Sequence, residues 1–473
     1  MQIVQTMQFG GPEVLVMSEA PDPVAGPGQV IVDVSVAPVL TLDTQIRSGW
    51  GSEWFPVKPP YIPGAGVAGE VISVGEGVDP DWVGRRVVAD TGEGGGYAER
   101  AVAPVEGLIP VSDGLGLPDA AALLHDGRTA LGLFEEARIH PGEWVLITAA
   151  SGGLGSLLVQ LAHAAGARII GAARGKEKLE LARELGAEVV VDYSEPGWPE
   201  RVREAIGGAG ADVVFDGGGG DIGRAAFEIT ASGGRFSAHG APSGAFAEID
   251  PQEAERRGIT ISGIQDVQFA PAEANRLTER ALSEAAVGRI RPVIGQTFPL
   301  EKAADAHAAI EAREVVGKTL LIVRPSAPFT RTELDYLAAQ TLGRLATVQP
   351  DETLQISPVG FHYNAETATI DIGGYDMAAS RKFRNVADNG RVAFVVDDIV
   401  SSNPWRVRCL EIRGHAEAID TLANAAGELD GEIIRVHPKR IISFGIDEPD
   451  LDPHQLTPNN RDVAEPPEHR GRN

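Results

Sequence analysis

The chain has 473 residues, more than one hydrophobic core usually supports, so we expect two or three domains. Its formal net charge of −26 argues against nucleic acid and anionic membrane surfaces as partners. Cys409 is the single cysteine, which excludes an internal disulfide and a multi-cysteine zinc site. No apolar stretch is long enough to span a bilayer and no charged-then-apolar leader begins the chain, so we expect a cytoplasmic protein without membrane partners.

Short alternating runs rich in Val, Gly and Pro open the chain and predict β-strands joined by glycine turns. Between residues 123 and 265, apolar strands alternate with helical stretches, which is typical of a parallel sheet with crossover helices. A further helix and strand occupy residues 266–324, and two prolines make residues 325–329 a predicted linker. Residues 330–449 combine a helix with alternating strands, which predicts a small antiparallel β-barrel, and residues 450–473 are polar and proline-rich, which predicts disorder.

A glycine-rich turn follows the apolar run at 144–148 and precedes a stretch with helical spacing at 156–162. Strand, glycine turn and helix form the phosphate cradle of dinucleotide-binding folds, because glycines let a pyrophosphate approach the backbone beside the positive end of a helix dipole. This context favours a nucleotide site, and the alternative is a turn needed only for close packing of strand and helix. The predicted cofactor-binding residues of the turn are Ala150, Ser151, Gly152, Gly153, Leu154 and Gly155.

Two cations follow the second strand of this predicted fold, where a fold that holds NAD usually places Asp or Glu on the ribose hydroxyls. Arg174 and Lys176 suit a 2′-phosphate instead, so we predict NADPH, with Tyr193 flanking that phosphate or the adenine. Gly217 and Gly218 follow a later strand and would let the backbone approach the nicotinamide half of the cofactor. The alternatives are a solvated loop at the two cations and a flexible loop without ligand at the two glycines.

The first 325 or so residues resemble the zinc-independent quinone oxidoreductases of the medium-chain dehydrogenase/reductase superfamily. The resemblance implies a Rossmann NADPH-binding domain at 123–265 and a GroES-like β-barrel domain assembled from 1–122 and 266–324. The cleft between them would hold nicotinamide and substrate, with Thr129 beside the nicotinamide and Lys318 among the cofactor-binding residues. The matching stretches, besides the glycine turn, are FGGPEVL (9–15), LDTQIRSG (42–49), IPG (62–64), GEGV (75–78), GRRV (84–87), GYAE (96–99), TA (129–130) and GK (317–318).

Departures from the superfamily pattern bear on the chemistry. Zinc-dependent relatives have a cysteine where this chain has Leu40 and a Gly-His-Glu stretch where it has Gly64-Ala65-Gly66. We therefore expect no metal, which removes metal-assisted polarisation of a carbonyl group. Quinone reductases commonly have Asn in place of Leu40 and Tyr in place of Gln45, so the substrate stays open while hydride transfer remains possible.

Hydride addition to an enone or quinone builds negative charge on oxygen, which a hydrogen-bond donor must stabilise. The candidate donors are Thr41, Tyr61, His125 and Thr129. His125 is expected at the entry to a helix that faces the cofactor, and the alternative is a histidine that merely caps or packs at a helix start. Asp43 matches a family position and is a further catalytic candidate, although holding its loop is the simpler role.

Four residues at the start of a predicted helix mark the second unit. Ser380, Arg381, Lys382 and Arg384 combine cations with a helix N-terminus, and this spacing fits an anion site and a surface charge cluster equally well. A second candidate helix spans 330–342, with Thr330 or Thr332 as its N-cap.

Residues 330 to about 447 resemble pyridoxamine-phosphate-oxidase-like split-barrel proteins, specifically the group that depends on the deazaflavin coenzyme F-420. The resemblance implies an antiparallel split β-barrel, FMN or the deazaflavin as cofactor, and a homodimer in which the Arg/Lys stretch at 381–384 holds the flavin phosphate. The matching stretches are LGRLATV (342–348), SPVGF (357–361), SRKFRNV (380–386), VVDD (395–398), WRVR (405–408) and RGHA (413–416).

Together these features predict an NADPH-dependent oxidoreductase that reduces a small-molecule quinone or α,β-unsaturated carbonyl, fused to a flavin- or deazaflavin-binding module. One alternative is a sensor or regulatory protein that binds both cofactors without turnover. Another is an enoyl-thioester reductase, although no basic patch suited to a coenzyme A phosphate is evident.

Overall fold

A computed structural model describes the chain except residues 93, 113, 243, 325–328, 365–366, 421–431, 447–450, 452–455, 457 and 464–473. The chain divides into two units, residues 1–324 and 325–473. Phe329 is 4% exposed and belongs to the core of the second unit, so the linker predicted over 325–329 is wrong at its last position. The rest of that prediction lies outside the described residues. No helix in the described ranges is long and apolar enough to cross a membrane.

The first unit contains a two-stranded, a six-stranded and a seven-stranded sheet and nine α-helices within its described residues. Its strands are β1 (Gln2–Thr6), β2 (Leu15–Glu19), β3 (Gln29–Val39), β4 (Gly66–Val74), β5 (Arg86–Asp90), β6 (Arg100–Pro104), β7 (Leu108–Pro110), β8 (Trp144–Thr148), β9 (Arg168–Ala173), β10 (Val189–Asp192), β11 (Ala211–Asp216), β12 (Thr230–Ala238), β13 (Thr260–Gly263), β14 (Ile294–Pro299) and β15 (Lys318–Ile322). Its helices are α1 (Thr41–Ser48), α2 (Leu117–Ala137), α3 (Gly153–Ala164), α4 (Lys176–Glu184), α5 (Trp198–Ala205), α6 (Gly220–Ile229), α7 (Pro251–Arg257), α8 (Pro271–Ala286) and α9 (Ala303–Glu311).

Six parallel strands form the nucleotide-binding sheet in the order β10-β9-β8-β11-β12-β13. This is the doubly wound Rossmann order, in which the chain direction across the sheet reverses between β8 and β11. Ligands of such sheets bind at the carboxyl ends of the strands at this switch point. The predicted Rossmann fold is confirmed.

The barrel domain uses strands from both ends of the unit, because β15 pairs with β3 and β14 pairs with β15. Strands β4, β5 and β7 extend the sheet beyond β3, and β6 also pairs with β3. The domain boundary predicted between residues 122 and 123 falls inside α2, which runs without a break over 21 residues. One core cluster contains Val36 of β3, Leu123 of α2 and Ile147 of β8, so α2 packs against both sheets. The helix therefore belongs to neither domain alone.

The second unit is one antiparallel sheet of eight strands in the described residues, in the order β17-β16-β20-β21-β22-β19-β18, with β23 paired to β22. The predicted split-barrel architecture is confirmed by this topology together with the family match given below. Its strands are β16 (Gly343–Val348), β17 (Leu354–Val359), β18 (His362–Asn364), β19 (Thr369–Ile372), β20 (Arg391–Ser402), β21 (Trp405–Asp420), β22 (Glu432–Phe444) and β23 (Asn459–Asp462), and its helices are α10 (Arg331–Ala339) and α11 (Arg381–Asn389).

Two details of this unit test the sequence predictions. Thr330 is the N-cap of α10, because its hydroxyl accepts a hydrogen bond from the Glu333 amide while the Glu333 carboxylate accepts one from the Thr330 amide. The disorder predicted over 450–473 is wrong at Asn459–Asp462, which pair with β22 and place Arg461 in an ion pair with buried Glu333. Most of the remaining tail lies outside the described residues.

Candidate active site

The glycine turn lies at the carboxyl end of β8, and α3 begins directly after Gly152. Ala149 adopts a left-handed backbone conformation with φ of 53°, and Ser151 accepts a hydrogen bond from the amide of Gly317 at 2.7 Å. A Cβ atom on Gly155 would lie 2.2 Å from the carbonyl oxygen of Ala149, so only glycine lets the helix start this close to the strand. The turn therefore presents the N-terminus of α3 at the switch point, as the sequence predicts.

A buried carboxylate organises the second glycine loop, which follows β11. Asp216 Oδ1 accepts hydrogen bonds from the Thr148 hydroxyl at 2.8 Å and from the amides of Gly218 and Gly219 at 3.0 and 3.1 Å. Burial raises the pKa of Asp216 despite these bonds. The predicted residues Gly217 and Gly218 thus lie in a loop that Asp216 holds beside the first turn. The sequence analysis did not single out Asp216, although its position directly before four glycines could have indicated this role.

His239 is a neighbour of this loop that the sequence analysis missed. It follows β12 and is 9% exposed, and burial lowers its pKa to about 4, so the ring is neutral at physiological pH. Its Nδ1 lies 3.2 Å from the Ser237 hydroxyl. A Cβ atom on Gly217 would lie 3.6 Å from Nε2, which places a neutral imidazole at the ligand-binding edge of the sheet.

Four cations gather near the predicted 2′-phosphate position. Arg174 and Lys176 are exposed after β9, as expected. Burial raises the pKa of Tyr193, and the positive charges of Arg174 and Arg313 partly offset this effect, so both guanidinium groups lie near the phenol. Lys178 is the remaining cation, and its Nζ donates a hydrogen bond to the Arg313 carbonyl oxygen at 2.6 Å. The contribution of Arg313 was missed because it comes from a distant part of the chain.

Lys318 is buried and lies 3.1 Å from Asp126 Oδ1, so the structure pairs this predicted cofactor-binding residue with a carboxylate of α2. A Cβ atom on Gly153 would lie 2.1 Å from Asp126 Oδ2. The ion pair therefore lies directly against the glycine turn.

A cavity of about 110 Å³ opens in the barrel domain, and its wall is apolar except at Asp43 and Tyr61. Burial raises the pKa of the Tyr61 phenol, which keeps it protonated and able to donate a hydrogen bond. The lining residues are Leu40, Leu42, Asp43, Ile46, Trp54, Phe55, Pro56, Val57, Tyr61, Pro63, Gly64, Ala65 and Gly92.

Asp43 lies in the first turn of α1 and is 6% exposed. Its Oδ2 accepts hydrogen bonds from the Leu40 amide at 2.8 Å and from the Tyr97 hydroxyl at 3.3 Å. Burial raises the pKa of Asp43 to about 6, although these two bonds and the charge of Lys318 oppose the shift. The bond to Leu40 shows that Asp43 holds its loop, and the residue also lines the cavity. The partner Tyr97 was missed at the sequence level.

His125 does not begin a helix, since α2 starts at Leu117 and the residue lies in its third turn; that expectation is wrong. Its Nε2 lies 3.6 Å from Asp90 Oδ2, which also accepts a hydrogen bond from Arg128 at 3.1 Å. Burial lowers the pKa of His125. Asp90 Oδ1 accepts a hydrogen bond from the amide of Gly92 at 2.9 Å, so Asp90 connects His125 to a residue of the cavity wall.

The two threonine candidates are not brought together with Asp43 and Tyr61 at the cavity wall. Thr41 is the exposed first residue of α1, and Thr129 is half-buried on α2. Neither is among the described residues that line the cavity.

The loop after β12 is tied to the barrel domain by two side chains of the α1 region. Gln45 Nε2 donates to the carbonyl oxygen of Ala241 at 2.6 Å, and Trp50 Nε1 donates to that of Gly244 at 3.0 Å. Gln45 and Trp50 thus connect the region of α1 to the loop that follows β12. Trp54 is 68% exposed at the cavity, and its ring centroid lies 5.7 Å from that of Trp50.

In the second unit, the four predicted anion-binding residues meet at the N-terminus of α11. The Ser380 hydroxyl accepts the Phe383 amide at 3.3 Å and so acts as the N-cap. Arg381 and Arg384 are exposed and Lys382 is half-buried, with Arg381 donating to Gln349 Oε1 at 3.3 Å. Three cations beside free helix amides fit a phosphate group.

Known families match three parts of the chain. The family described as alcohol dehydrogenase GroES-like domain matches residues 26–113, and the one described as zinc-binding dehydrogenase matches residues 153–280. The family described as pyridoxamine 5′-phosphate oxidase matches residues 329–443. No group of three or more His, Cys, Asp or Glu side chains that could hold a metal ion occurs among the described residues.

Individual relatives match the first unit over nearly their whole length. Quinone oxidoreductase of Sus scrofa is 33% identical over 328 residues, which cover 68% of this chain and 98% of that protein. The 2-haloacrylate reductase of a Burkholderia species is 33% identical over 320 residues, covering 66% and 96%. Escherichia coli quinone oxidoreductase, solved in complex with NADPH, superposes with a TM-score of 0.63 at 27% identity and covers 68% of this chain and 100% of that chain. Quinone oxidoreductase of Pseudomonas syringae gives a TM-score of 0.63 at 31% identity, covering 68% and 99%.

The fold and these matches define an oxidoreductase of the medium-chain dehydrogenase/reductase superfamily. More narrowly, the chain belongs to the quinone oxidoreductase family, with a domain of the pyridoxamine-phosphate-oxidase type fused after residue 328.

Proposed function

We propose that the first unit reduces an apolar quinone or α,β-unsaturated carbonyl compound by hydride transfer from NADPH. The observation that carries this proposal is the cavity, whose wall is apolar except for Asp43 and Tyr61. Such a wall suits a neutral, planar substrate with an oxygen placed at the two polar groups. A substrate that carries a carboxylate would bring a second negative charge beside Asp43 and find no cation among the described lining residues.

The residues present fit NADPH. The close approach of Gly155 to Ala149 leaves the N-terminus of α3 facing the switch point, and the loop at Gly217 offers backbone without side chains beside it. The cluster at Arg174 and Arg313 suits the 2′-phosphate that distinguishes NADPH from NADH. When bound, the cofactor supplies the hydride. The NADPH complex of the E. coli relative supports the same choice.

Tyr61 stays a candidate donor because the residue lines the cavity and burial keeps its phenol protonated, but its hydroxyl oxygen is buried and would have to turn toward the substrate. Thr41, His125 and Thr129 stay candidate donors on the sequence argument alone. Zinc independence also stays a prediction, based on Leu40 and Gly64-Ala65-Gly66 at the ligand positions.

The test is NADPH oxidation at 340 nm with neutral quinones, neutral enones and 2-haloacrylate as parallel acceptors. We expect sustained turnover with the neutral acceptors, at least a tenfold lower kcat/KM for the carboxylate, and a preference for NADPH over NADH. Turnover also removes the sensor alternative. The proposal would be contradicted if the chain binds NADPH but none of these acceptors supports its oxidation.

We further propose that the second unit binds a flavin-type cofactor, FMN or coenzyme F-420, as part of a homodimer. The support is the cation cluster at the N-terminus of α11 and the match to the pyridoxamine 5′-phosphate oxidase family. Purification from a host that makes both cofactors, followed by denaturation and mass analysis of the released chromophore, tests the cofactor. Light scattering coupled to gel filtration tests the dimer. Absence of any chromophore, or a monomer, would contradict the respective part.

A further inference from the structure

We propose that Asp43 donates the proton of the reductase reaction, and that a hydrogen-bonded line through Tyr97 to His307 holds the Asp43 carboxyl group in place for this role. This inference rests on the proposed function of the first unit. It assigns Asp43 a catalytic role at the cavity, and it makes Tyr97 and His307 positioning residues that act through Asp43.

Three buried groups from distant parts of the chain form one continuous line. Asp43 Oδ2 lies 3.3 Å from the Tyr97 hydroxyl, which lies 3.0 Å from His307 Nε2. Tyr97 and His307 are fully buried, while Asp43 contributes to the cavity wall. The line therefore runs from the cavity wall into the barrel domain and ends at α9, with His307 Nδ1 free of any hydrogen bond to the described residues.

The Tyr97 hydroxyl has only one proton, so the two hydrogen bonds that it makes cannot be independent. When Asp43 is a carboxylate, Tyr97 donates to it and the His307 Nε2–H donates to Tyr97. When Asp43 is protonated toward the chain, the order reverses, and His307 must have its proton on Nδ1. The line therefore pairs with Asp43 in either protonation state.

The charges that face Asp43 favour a carboxyl group that exchanges its proton near neutrality. No ion pair to Asp43 occurs in the described part of the chain, since Lys318 is paired with Asp126 and Arg47 with Glu311. Tyr61 and Tyr97 complete the titratable groups around it. Burial raises the pKa of Asp43 to about 6, so a useful fraction is protonated in neutral solution.

His307 is a neutral end to this line. Burial lowers its pKa to about 3, and the positive charge of Arg47 adds to this effect, so the imidazole stays uncharged beside Tyr97. The ring also stands at right angles to Tyr97, with centroids 5.7 Å apart. The geometry keeps the phenol oxygen and Nε2 within hydrogen-bond distance.

The reaction balances in two stages. The acceptor takes a hydride from the cofactor, electrons of its double bond move to oxygen, and that oxygen takes a proton as the O–H bond of Asp43 breaks. The Asp43 carboxylate then regains its proton from water that enters the cavity. One NADPH, one proton and one acceptor give one NADP⁺ and one reduced acceptor.

The test compares the full-length wild type with Asp43→Asn, Tyr97→Phe and a matched control, Asp33→Asn, using an enone acceptor. Asp33 is also an acid of the barrel domain whose pKa is raised by burial, but it pairs with Arg324 at 2.9 Å and is outside the described cavity lining. NADPH affinity by quenching of tryptophan fluorescence reports on folding and on the cofactor site in each variant.

We expect Asp43→Asn to lower kcat at least tenfold with NADPH affinity within twofold of wild type. We expect wild-type kcat to fall as pH rises through the pKa of Asp43. In Tyr97→Phe that midpoint should move to higher pH, because the variant loses a hydrogen bond that stabilises the carboxylate, whereas a purely structural role would leave the midpoint in place.

Retention of kcat and of the pH profile in Asp43→Asn, with wild type active, would overturn this inference while leaving the proposed function intact. If Asp43→Asn fails to fold, an unchanged pH midpoint in Tyr97→Phe overturns it instead. A wild-type chain without turnover on any acceptor would overturn the proposed function and this inference with it.

Discussion

Lys318 of β15 and Asp126 of α2 form an ion pair with 3.1 Å between Nζ and Oδ1, and the pair lies directly against Gly153 of the glycine turn. Both side chains are mostly shielded from water. A buried pair costs desolvation of both charges, so its main effect appears when one partner is removed and the other is left alone. The pair also links the last strand of the barrel sheet to the helix that both domains share.

Replacing Lys318→Met should lower the free energy of unfolding by about 3–5 kcal/mol, because the Asp126 carboxylate is left buried without its partner. The matched control is Lys302→Met, which breaks an exposed pair to Asp305 and should cost less than about 1 kcal/mol. Chemical denaturation of the two variants measures both values. Equal losses of unfolding free energy in the two variants would show that the buried pair contributes no more to stability than the exposed one.

Cofactor preference should depend on the cations beside Tyr193. In Arg174→Ala and Arg313→Ala we expect KM for NADPH to rise about tenfold while KM for NADH stays the same, since each loses one charge-assisted bond to the 2′-phosphate. Arg183→Ala is the matched control, because Arg183 lies on the same helix as Lys176 but pairs with Glu180 at 3.0 Å. An equal rise of KM for NADPH and for NADH would mean that these arginines do not bind the 2′-phosphate.

Two buried histidines predict that the first unit loses stability in mild acid. Burial lowers the pKa of His239 to about 4 and that of His307 to about 3, whereas an unfolded histidine titrates near ~6.5. Between pH ~6.5 and ~4.5 the unfolded chain therefore binds more protons, and stability falls as pH falls. Asp43 opposes this trend, because its raised pKa lets the folded state bind a proton below about pH 6.

Thermal unfolding followed across this pH window should show a falling melting temperature, with a smaller fall in His239→Gln. The smaller fall is expected because glutamine cannot take up the proton that favours the unfolded chain. An identical pH slope in the variant and the wild type would show that His239 does not titrate in this window on unfolding.

The cation cluster at the start of α11 should determine flavin binding in the second unit. Arg381→Ser and Arg384→Ser should each weaken binding of FMN or coenzyme F-420 about tenfold or more, measured by fluorescence titration. The control is Arg413→Ser on β21, whose side chain pairs with Glu411 at 2.6 Å. Unchanged affinity in both α11 variants would remove the proposed phosphate site.

Local signals in the sequence were enough to predict the turns and caps. The glycine turn before α3 and the Thr330 cap of α10 depend on residues a few positions apart, and both were correct. β22 is hard to see in the sequence, because Pro438 and neighbouring charged residues interrupt its apolar pattern. A long antiparallel partner, β21, compensates for that weak pattern with pairing along most of its length.

The candidate site was predicted less well, because its contacts join residues that are far apart in the chain. Asp43 and Tyr97 are separated by 54 positions, and Tyr97 and His307 by 210. Spacing along the sequence carries no information about such pairs, so Asp43 was recognised while its two partners were not. For His125, the boundary of α2 was placed too late, which turned a mid-helix residue into an expected helix start.

The two bonds from Gln45 and Trp50 to the loop after β12 both end on main-chain carbonyl oxygens, those of Ala241 and Gly244. These two hydrogen bonds therefore do not depend on which side chains the loop carries at those positions. Substitutions of Ala241 can therefore change the surface of the loop while both bonds stay in place. Substitutions of Gln45 or Trp50 do the reverse, because they remove a bond to the loop while the loop sequence stays the same.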